Sequence, residues 1–329
     1  MFLNKDFKEK VLAIVGKKLP KKIAVAVSGG LDSMALLVLL DELFGEKVMI
    51  YALTVDHAVR GNSAADAKFV ENFCLQKNIS SHILKSTFKT PPEVDIENSL
   101  RQMRYELLGE FCAKNNIKYL FLGHHQDDQA ENFLIRLFRG SGIDGLAAIN
   151  EISEFRKIKL VRPLLEFTKN DLKKYLQEKK ISWVEDESNE DEKFLRNKIR
   201  KFLKSLPEPE VINGRIALAS RSILEAKEIL GKETKRNFPK IFKSHENSYL
   251  IDVAKFKKLG KTKATRYLGL ALMEISGRIY KPRLKKLERI YQLIVSDSLK
   301  KEEFYGCVIS RFSGKSADGC EVIVLCAKY

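Results

Sequence analysis

Two short stretches carry residue types and spacings that could do chemistry. The first, Ser28-Gly29-Gly30-Leu31-Asp32-Ser33, follows the apolar run Ile23-Ala24-Val25-Ala26-Val27 and opens into Met34-Ala35-Leu36-Leu37-Val38-Leu39-Leu40. A buried strand that turns through two glycines into a helix is a polyphosphate cradle. Glycine lets backbone N–H groups approach phosphate oxygens, and the helix N-terminus adds partial positive charge. Ser28 and Ser33 can donate further hydrogen bonds, and Asp32 suits an anion site if it holds a cation that itself binds phosphate. Neither G-x-x-x-x-G-K-[ST] nor G-x-G-x-x-G is present here. The second stretch is His124-His125-Gln126-Asp127-Asp128-Gln129-Ala130-Glu131, again after an apolar run. Acidic residues in a first helical turn also serve capping, but two histidines, two aspartates and a glutamate in eight residues exceed that need. Asp128 and Glu131, three apart, fall on one helix face, where they could hold magnesium or grip an ammonium group. A metallohydrolase would use a similar set.

The elements that must position these stretches follow from periodicity. Strands are expected over 21–27, 47–55, 82–85 and 119–123, and helices over 32–44, 63–77, 98–115, 127–138 and 168–179, with Thr168 as an N-cap. This alternation predicts an α/β, Rossmann-like parallel sheet covered by helices on both faces. Val27, Val55 and Leu122 end their strands beside polar residues, so three loops should converge at the carboxyl edge, where such sheets bind ligands. The rhythm stops at Leu206-Pro207-Glu208-Pro209, which suggests one domain over 1–206 and a second over 207–329. The second reads as mostly helical, with helices over 210–232, 261–276 and 282–295 and short strands at 308–312 and 321–326.

Composition narrows the function. The 329 residues carry 59 lysines and arginines against 43 aspartates and glutamates, a net charge of +16 that points to a polyanionic partner. No stretch reaches the roughly 20 apolar residues that span a bilayer. The N-terminus lacks a signal-peptide pattern, so a cytoplasmic location is expected. The five cysteines show neither CxxC nor zinc spacing with histidine, which makes a metal–sulfur site an unfavoured expectation.

Ser28–Ser33 resembles the PP-loop of the ATP pyrophosphatases, which split ATP into AMP and pyrophosphate while activating a carbonyl oxygen. Further motifs follow in order: Val55-Asp56-His57 with Arg60-Gly61, Arg101-x-x-Arg104-Tyr105, Gly123–Glu131, Arg136-Leu137-Phe138-Arg139-Gly140-Ser141-Gly142, Arg162-Pro163-Leu164-Leu165, Asp186-x-Ser188-Asn189 and Arg196-Asn197-Lys198-Ile199-Arg200. Together they resemble the tRNA(Ile)-lysidine synthase family over roughly residues 21–205, and more weakly beyond. Asn132 stands where many relatives have threonine, and Leu100 and Gln102 where alanines are frequent. The chain is short for the family, so the largest C-terminal extension of some members is expected to be absent.

The resemblance implies a PP-loop catalytic domain and a C-terminal tRNA-binding domain. It implies that the wobble cytidine of a CAU-anticodon tRNA(Ile) attacks the α-phosphate of ATP through O2, and that the ε-amine of free L-lysine then displaces AMP at C2. The product, lysidine, pairs with A and shifts identity from methionine to isoleucine. Ser28, Gly29, Gly30, Leu31, Asp32, Ser33, Val55, His57, Gly123 and His124 would bind ATP, with Mg2+ on Asp32 and Asp128. Asp128 and Glu131, with Asp127 behind them, would bind lysine and take its proton. Arg104 and Arg196 would stabilise developing negative charge. Arg196, Lys198, Arg200, Arg283, Lys285, Lys286 and Arg289 would contact tRNA, and relatives suggest a homodimer. A tRNA thiolase of the same superfamily, which commonly needs catalytic or cluster cysteines, and a non-catalytic nucleotide- or RNA-binding module are the alternatives.

Overall fold

Large and small side chains alternate along the first strand, and that alternation divides the core. Ile23, Val25 and Val27 join one apolar cluster, Ala24 and Ala26 another, because successive strand residues point to opposite faces. In this computed structural model the described residues are 2–16, 18–56, 63–85, 96–185, 195–278, 282–315 and 321–328. The chain clusters into two units, Met1–Leu224 and Glu225–Tyr329.

The first unit runs α1 (Phe2–Val15), β1 (Lys22–Ala26), α2 (Leu31–Phe44), β2 (Met49–Asp56), α3 (Ser63–Gln76), β3 (Ser80–Lys85), α4 (Ile96–Lys114) and β4 (Tyr119–Phe121). It continues with α5 (Gln126–Phe138), α6 (Ile143–Leu146), β5 (Ile152–Phe155), β6 (Ile158–Val161), α7 (Lys169–Glu178), α8 (Leu195–Ser205) and the start of α9 (Pro209–Asn237). The six strands lie in the order β3-β2-β1-β4-β6-β5. All pairs are parallel except β5 with β6. The larger cluster packs α1, α2 and α7 on one face, where Leu36, Leu37, Leu40, Leu172 and Leu176 are wholly buried. On the other face Leu108 and Cys112 of α4 reach the small Ala24 and Ala26. Strand order reverses between β1 and β4, which opens a crevice at their carboxyl ends. The hairpin β5–β6 and helix α8 extend what the sequence pattern predicts. Thr168 caps α7 as expected, its Oγ1 accepting from Asp171 N at 3.0 Å.

The second unit holds a five-stranded antiparallel sheet ordered β7-β8-β11-β10-β9, from β7 (Phe242–His245), β8 (Ser248–Asp252), β9 (Lys301–Phe304), β10 (Cys307–Lys315) and β11 (Glu321–Ala327). Three helices, α10 (Val253–Lys258), α11 (Lys261–Ser276) and α12 (Leu284–Val295), contribute Phe256, Leu268, Leu272 and Ile290 to its core. The strands at 308–312 and 321–326 are therefore two members of a larger sheet.

A division after Leu206 and the division at Leu224 differ by the first turns of α9. Those turns bond within the first unit: Asn213 Nδ2 donates to Asp127 Oδ1 at 2.8 Å, and Ala148 N donates to the Ser220 carbonyl at 3.1 Å. Among the described residues no helix is long and apolar enough to cross a membrane.

Candidate active site

Backbone geometry builds the phosphate loop before any side chain contributes. Gly29 has φ +85°, in the left-handed region that favours glycine, and its carbonyl accepts from Val184 N at 2.9 Å. Ser33 Oγ lies in the turn, donating to the Gly30 carbonyl at 3.0 Å and accepting from Ser28 N at 3.1 Å. Gly30 is the N-cap of α2 and no side chain caps the helix, so its first N–H groups are left to an incoming anion. Gly123 closes the loop from the β4 side. A Cβ there would stand 3.0 Å from the Asp32 carbonyl oxygen and 3.2 Å from Ser33 N, so only glycine permits this approach. Leu31 is buried below the loop, His124 follows Gly123, and Val55 lies half-buried at the end of β2. His57, Arg60 and Gly61 lie outside the described residues, as do Asp186, Ser188 and Asn189.

His125, the N-cap of α5, is the hub between this loop and the carboxylates. Its Nε2 lies 3.4 Å from Asp32 Oδ2 and 3.7 Å from Asp128 Oδ2, and its Nδ1 lies 3.6 Å from Asp127 Oδ2. Burial opposes its charge, but Asp128, then Asp32 and Asp127, push its pKa up from 6.5 to about 9. Asp127 N also points at Nδ1, at a long 3.3 Å, so the three carboxylates outweigh the cap in deciding its protonation. His124 has the opposite fate: burial, with Arg162, Arg104 and Arg101 against the pull of Asp128, brings it down to about 3. Its Nδ1 is buried without a hydrogen-bond partner. Their surroundings thus push the adjacent histidines in opposite directions, His124 toward the neutral ring and His125 toward the charged one.

Helix α8 supplies the counter-charges. Arg196 donates through Nη2 to Asp128 Oδ1 at 2.6 Å and through Nε to Glu131 Oε2 at 2.7 Å. Arg200 donates through Nε to Glu131 Oε1 at 2.6 Å. Burial opposes the ionised form of Asp128, yet His125 and Arg196 hold its carboxyl well below the usual range. Glu131 is 2% exposed with both oxygens occupied. A ligand therefore reaches Glu131 only by displacing an arginine. Asp127 is committed to scaffolding, accepting from Asn213 Nδ2 and from Lys169 N at 3.2 Å. Arg104 stands half-buried on α4, its pKa lowered by burial.

Two candidate ligands for a magnesium ion differ in how free they are. Asp32 Oδ1 is buried without a hydrogen-bond partner while its side chain keeps 31% exposure. A magnesium ion commonly takes one or two carboxylates and completes its shell from phosphate and water, and Asp32 fits that part. Asp128 would have to exchange Arg196 or the His125 N–H, which bonds its Oδ2 at 3.0 Å. Among the described residues no group of three or more His, Cys, Asp or Glu side chains could hold a metal alone.

Of the residues expected to face RNA, Arg196 and Arg200 instead turn inward to the carboxylates. Lys198 is exposed on α8, and Arg283, Lys285, Lys286 and Arg289 are exposed on or beside α12 in the second unit. There Lys286 Nζ lies 5.4 Å from the Phe304 ring centre, and Arg289 pairs with Glu302 at 3.1 Å. The sequence reasoning passed over His125 as a site residue. The signal that could have found it is its N-cap position three residues before Asp128.

Comparison with known proteins settles the family. A PP-loop domain family matches residues 3–206. The tRNA(Ile)-lysidine synthase of Wolbachia sp. subsp. Brugia malayi is 36% identical over 293 residues, covering 88% of this chain and 67% of the relative. The chain belongs to the tRNA(Ile)-lysidine synthase family. A Rickettsia felis enzyme of that name is 31% identical over 320 residues, covering 95% of this chain and 73% of the relative. Membership in the lysidine synthase family makes the chain an enzyme and its PP-loop the part that uses ATP. Among solved structures, a tRNA thiolase of Methanococcus maripaludis with its 4Fe-4S cluster superposes with TM-score 0.54 at 19% identity, over 69% of this chain and 78% of that one. That likeness shows the shared fold.

Proposed function

We propose that the chain ligates L-lysine to C2 of the wobble cytidine in a CAU-anticodon tRNA(Ile), consuming ATP to AMP and pyrophosphate. The observation that carries this reading is the meeting of a phosphate loop and a buried carboxylate–arginine set at one sheet edge, joined through His125. In the first step cytidine O2 bonds to the α-phosphorus and pyrophosphate leaves. The free N–H groups at the α2 N-terminus, with Ser28 and Ser33, hold the phosphates in line for displacement. Asp32 would hold a Mg2+ ion, which would supply positive charge to the phosphates. In the second step the lysine nitrogen bonds to C2, and the C2–O2 bond breaks to release AMP. The amine arrives as ammonium, with an ordinary pKa of about 10.4, so a carboxylate must take its proton. Asp128 and Glu131 fill that role, with Asp127 behind them. An ammonium group would compete with Arg196 for the same oxygens, and Arg196, once released, can turn to phosphate or base. Arg104 supports the charge on phosphate. Exposed Lys198 and the basic residues of α12 contact tRNA phosphates. The reading places the enzyme in the cytoplasm as a pair of chains.

In the first unit the described thiols do not suit the thiolase alternative. Cys74 and Cys112 are buried in different apolar clusters, and burial pushes their pKa values up to about 11 and about 12. Incubation with ATP, Mg2+ and CAU tRNA, without lysine, tests the first step. Pyrophosphate should appear together with AMP linked to tRNA, and a uridine at the wobble position should abolish both. Pyrophosphate release indifferent to that base would overturn the reading.

A further inference from the structure

His125 stands between Asp32 and Asp128, so whatever fixes its ring also fixes the spacing of those two carboxylates. Asp127 holds the other side of the ring. It meets Nδ1 twice, through Oδ2 at 3.6 Å and through its own N–H at 3.3 Å, while Nε2 lies 3.4 Å from Asp32 Oδ2. The Asp127 carboxylate is in turn held by two elements outside α5. Lys169 N of α7 donates to Oδ2 at 3.2 Å, and Asn213 Nδ2 of α9, 86 positions away in sequence, donates to Oδ1 at 2.8 Å. The first of these is a backbone group that any residue at 169 except proline would supply. The second depends on the identity of residue 213, which lies in the part of α9 that belongs to the first unit.

Stability alone does not account for asparagine at this place. Asn213 is the fifth residue of α9 and only 8% exposed, and its Oδ1 is buried without a hydrogen-bond partner. Asparagine is a weak helix former, and a buried amide that satisfies one half of itself costs stability. Leucine, of similar size, would carry neither penalty. What leucine cannot supply is the N–H that meets Asp127. We propose that Asn213 is a positioning residue for the reaction. Its bond to Asp127 Oδ1 fixes, through Asp127 and the His125 ring, where Asp32 and Asp128 stand during both adenylation and lysine transfer. This rests on the two-step reading above. Asn213 touches neither the phosphate loop nor the Asp128–Arg196 pair, so its influence runs through Asp127.

The test compares wild type, Asn213→Leu, Asp127→Ala and the double variant in single-turnover rates of both steps with CAU-anticodon tRNA. Asn213→Leu should slow adenylation and lysine transfer together, each about tenfold or more. The ATP concentration that half-saturates adenylation should stay within about threefold, because backbone N–H groups of the loop hold the phosphates. Asn213→Ala should behave as Asn213→Leu does, since neither carries the N–H. In the Asp127→Ala background the leucine substitution should slow neither step further, because the path to His125 is already cut. Wild-type rates in Asn213→Leu and Asn213→Ala, or a loss that persists undiminished in the Asp127→Ala background, would overturn the proposal while leaving the two-step reading intact. A lowered thermal midpoint with wild-type rates beneath it would overturn it in favour of a purely structural bond. Absence of both steps in the wild type would overturn the proposal and the reading together.

Discussion

Between Asp32 and Asp128, His125 does for two carboxylates what a bound cation would do. In Mg2+-free protein its ring should titrate near pH 9, seen as a histidine resonance that stays in the charged position through neutral pH. A midpoint below 6.5 would show that the Asp127 N–H cap governs the ring. Because the folded pKa is raised, the stabilisation is complete below about 6.5 and fades as pH rises through about 9. Gly123 makes a second residue-scale prediction. Gly123→Ala forces a Cβ against the Asp32 backbone, which should cost about 1–3 kcal/mol and weaken ATP binding, measured by calorimetry. An unchanged affinity would mean that the loop yields freely. Asp32→Ala should remove the Mg2+ dependence of adenylation together with most of its rate, whereas adenylation at the normal rate would remove Asp32 from metal binding.

At the scale of elements, α5 and α8 are fastened by charge as much as by apolar contact. Glu131→Ala leaves Arg196 and Arg200 facing each other without their shared carboxylate, a loss of about 3 kcal/mol in urea unfolding. A loss below about 1 kcal/mol would show that the arginines find water instead. These elements also show where the sequence was legible. The phosphate loop was, because a strand, two glycines and an apolar helix lie within twenty consecutive residues and the geometry is local. The inward turn of Arg196 was not. Its partners lie 65 and 68 positions away, and Lys193–Lys201 looks like a plain basic stretch until α5 is placed beside it. The hairpin β5–β6 was also missed, since strands of four residues carry too little alternation to stand out. In the second unit the same shortness hid β7 and β9, while α11 and α12 were plain from their buried stripes.

For the whole molecule the dominant quantity is charge. A +16 protein that neutralises tRNA phosphates should lose affinity steeply with salt, with a log–log slope near −0.7 for each single-strand phosphate contacted. Substituting exposed Lys285 and Lys286 together should lower that slope by more than one such increment, measured by filter binding over a salt series. A flat dependence would detach the charge from RNA binding. On the proposed reaction, one crevice passes AMP to a cytidine and then exchanges it for lysine. That reaction is tested most directly by incubating the protein with ATP, Mg2+, labelled lysine and a CAU-anticodon tRNA. Stable label should appear in the tRNA at the wobble nucleoside, with one AMP released per lysine joined. Folded protein and intact tRNA with no label incorporated would contradict it.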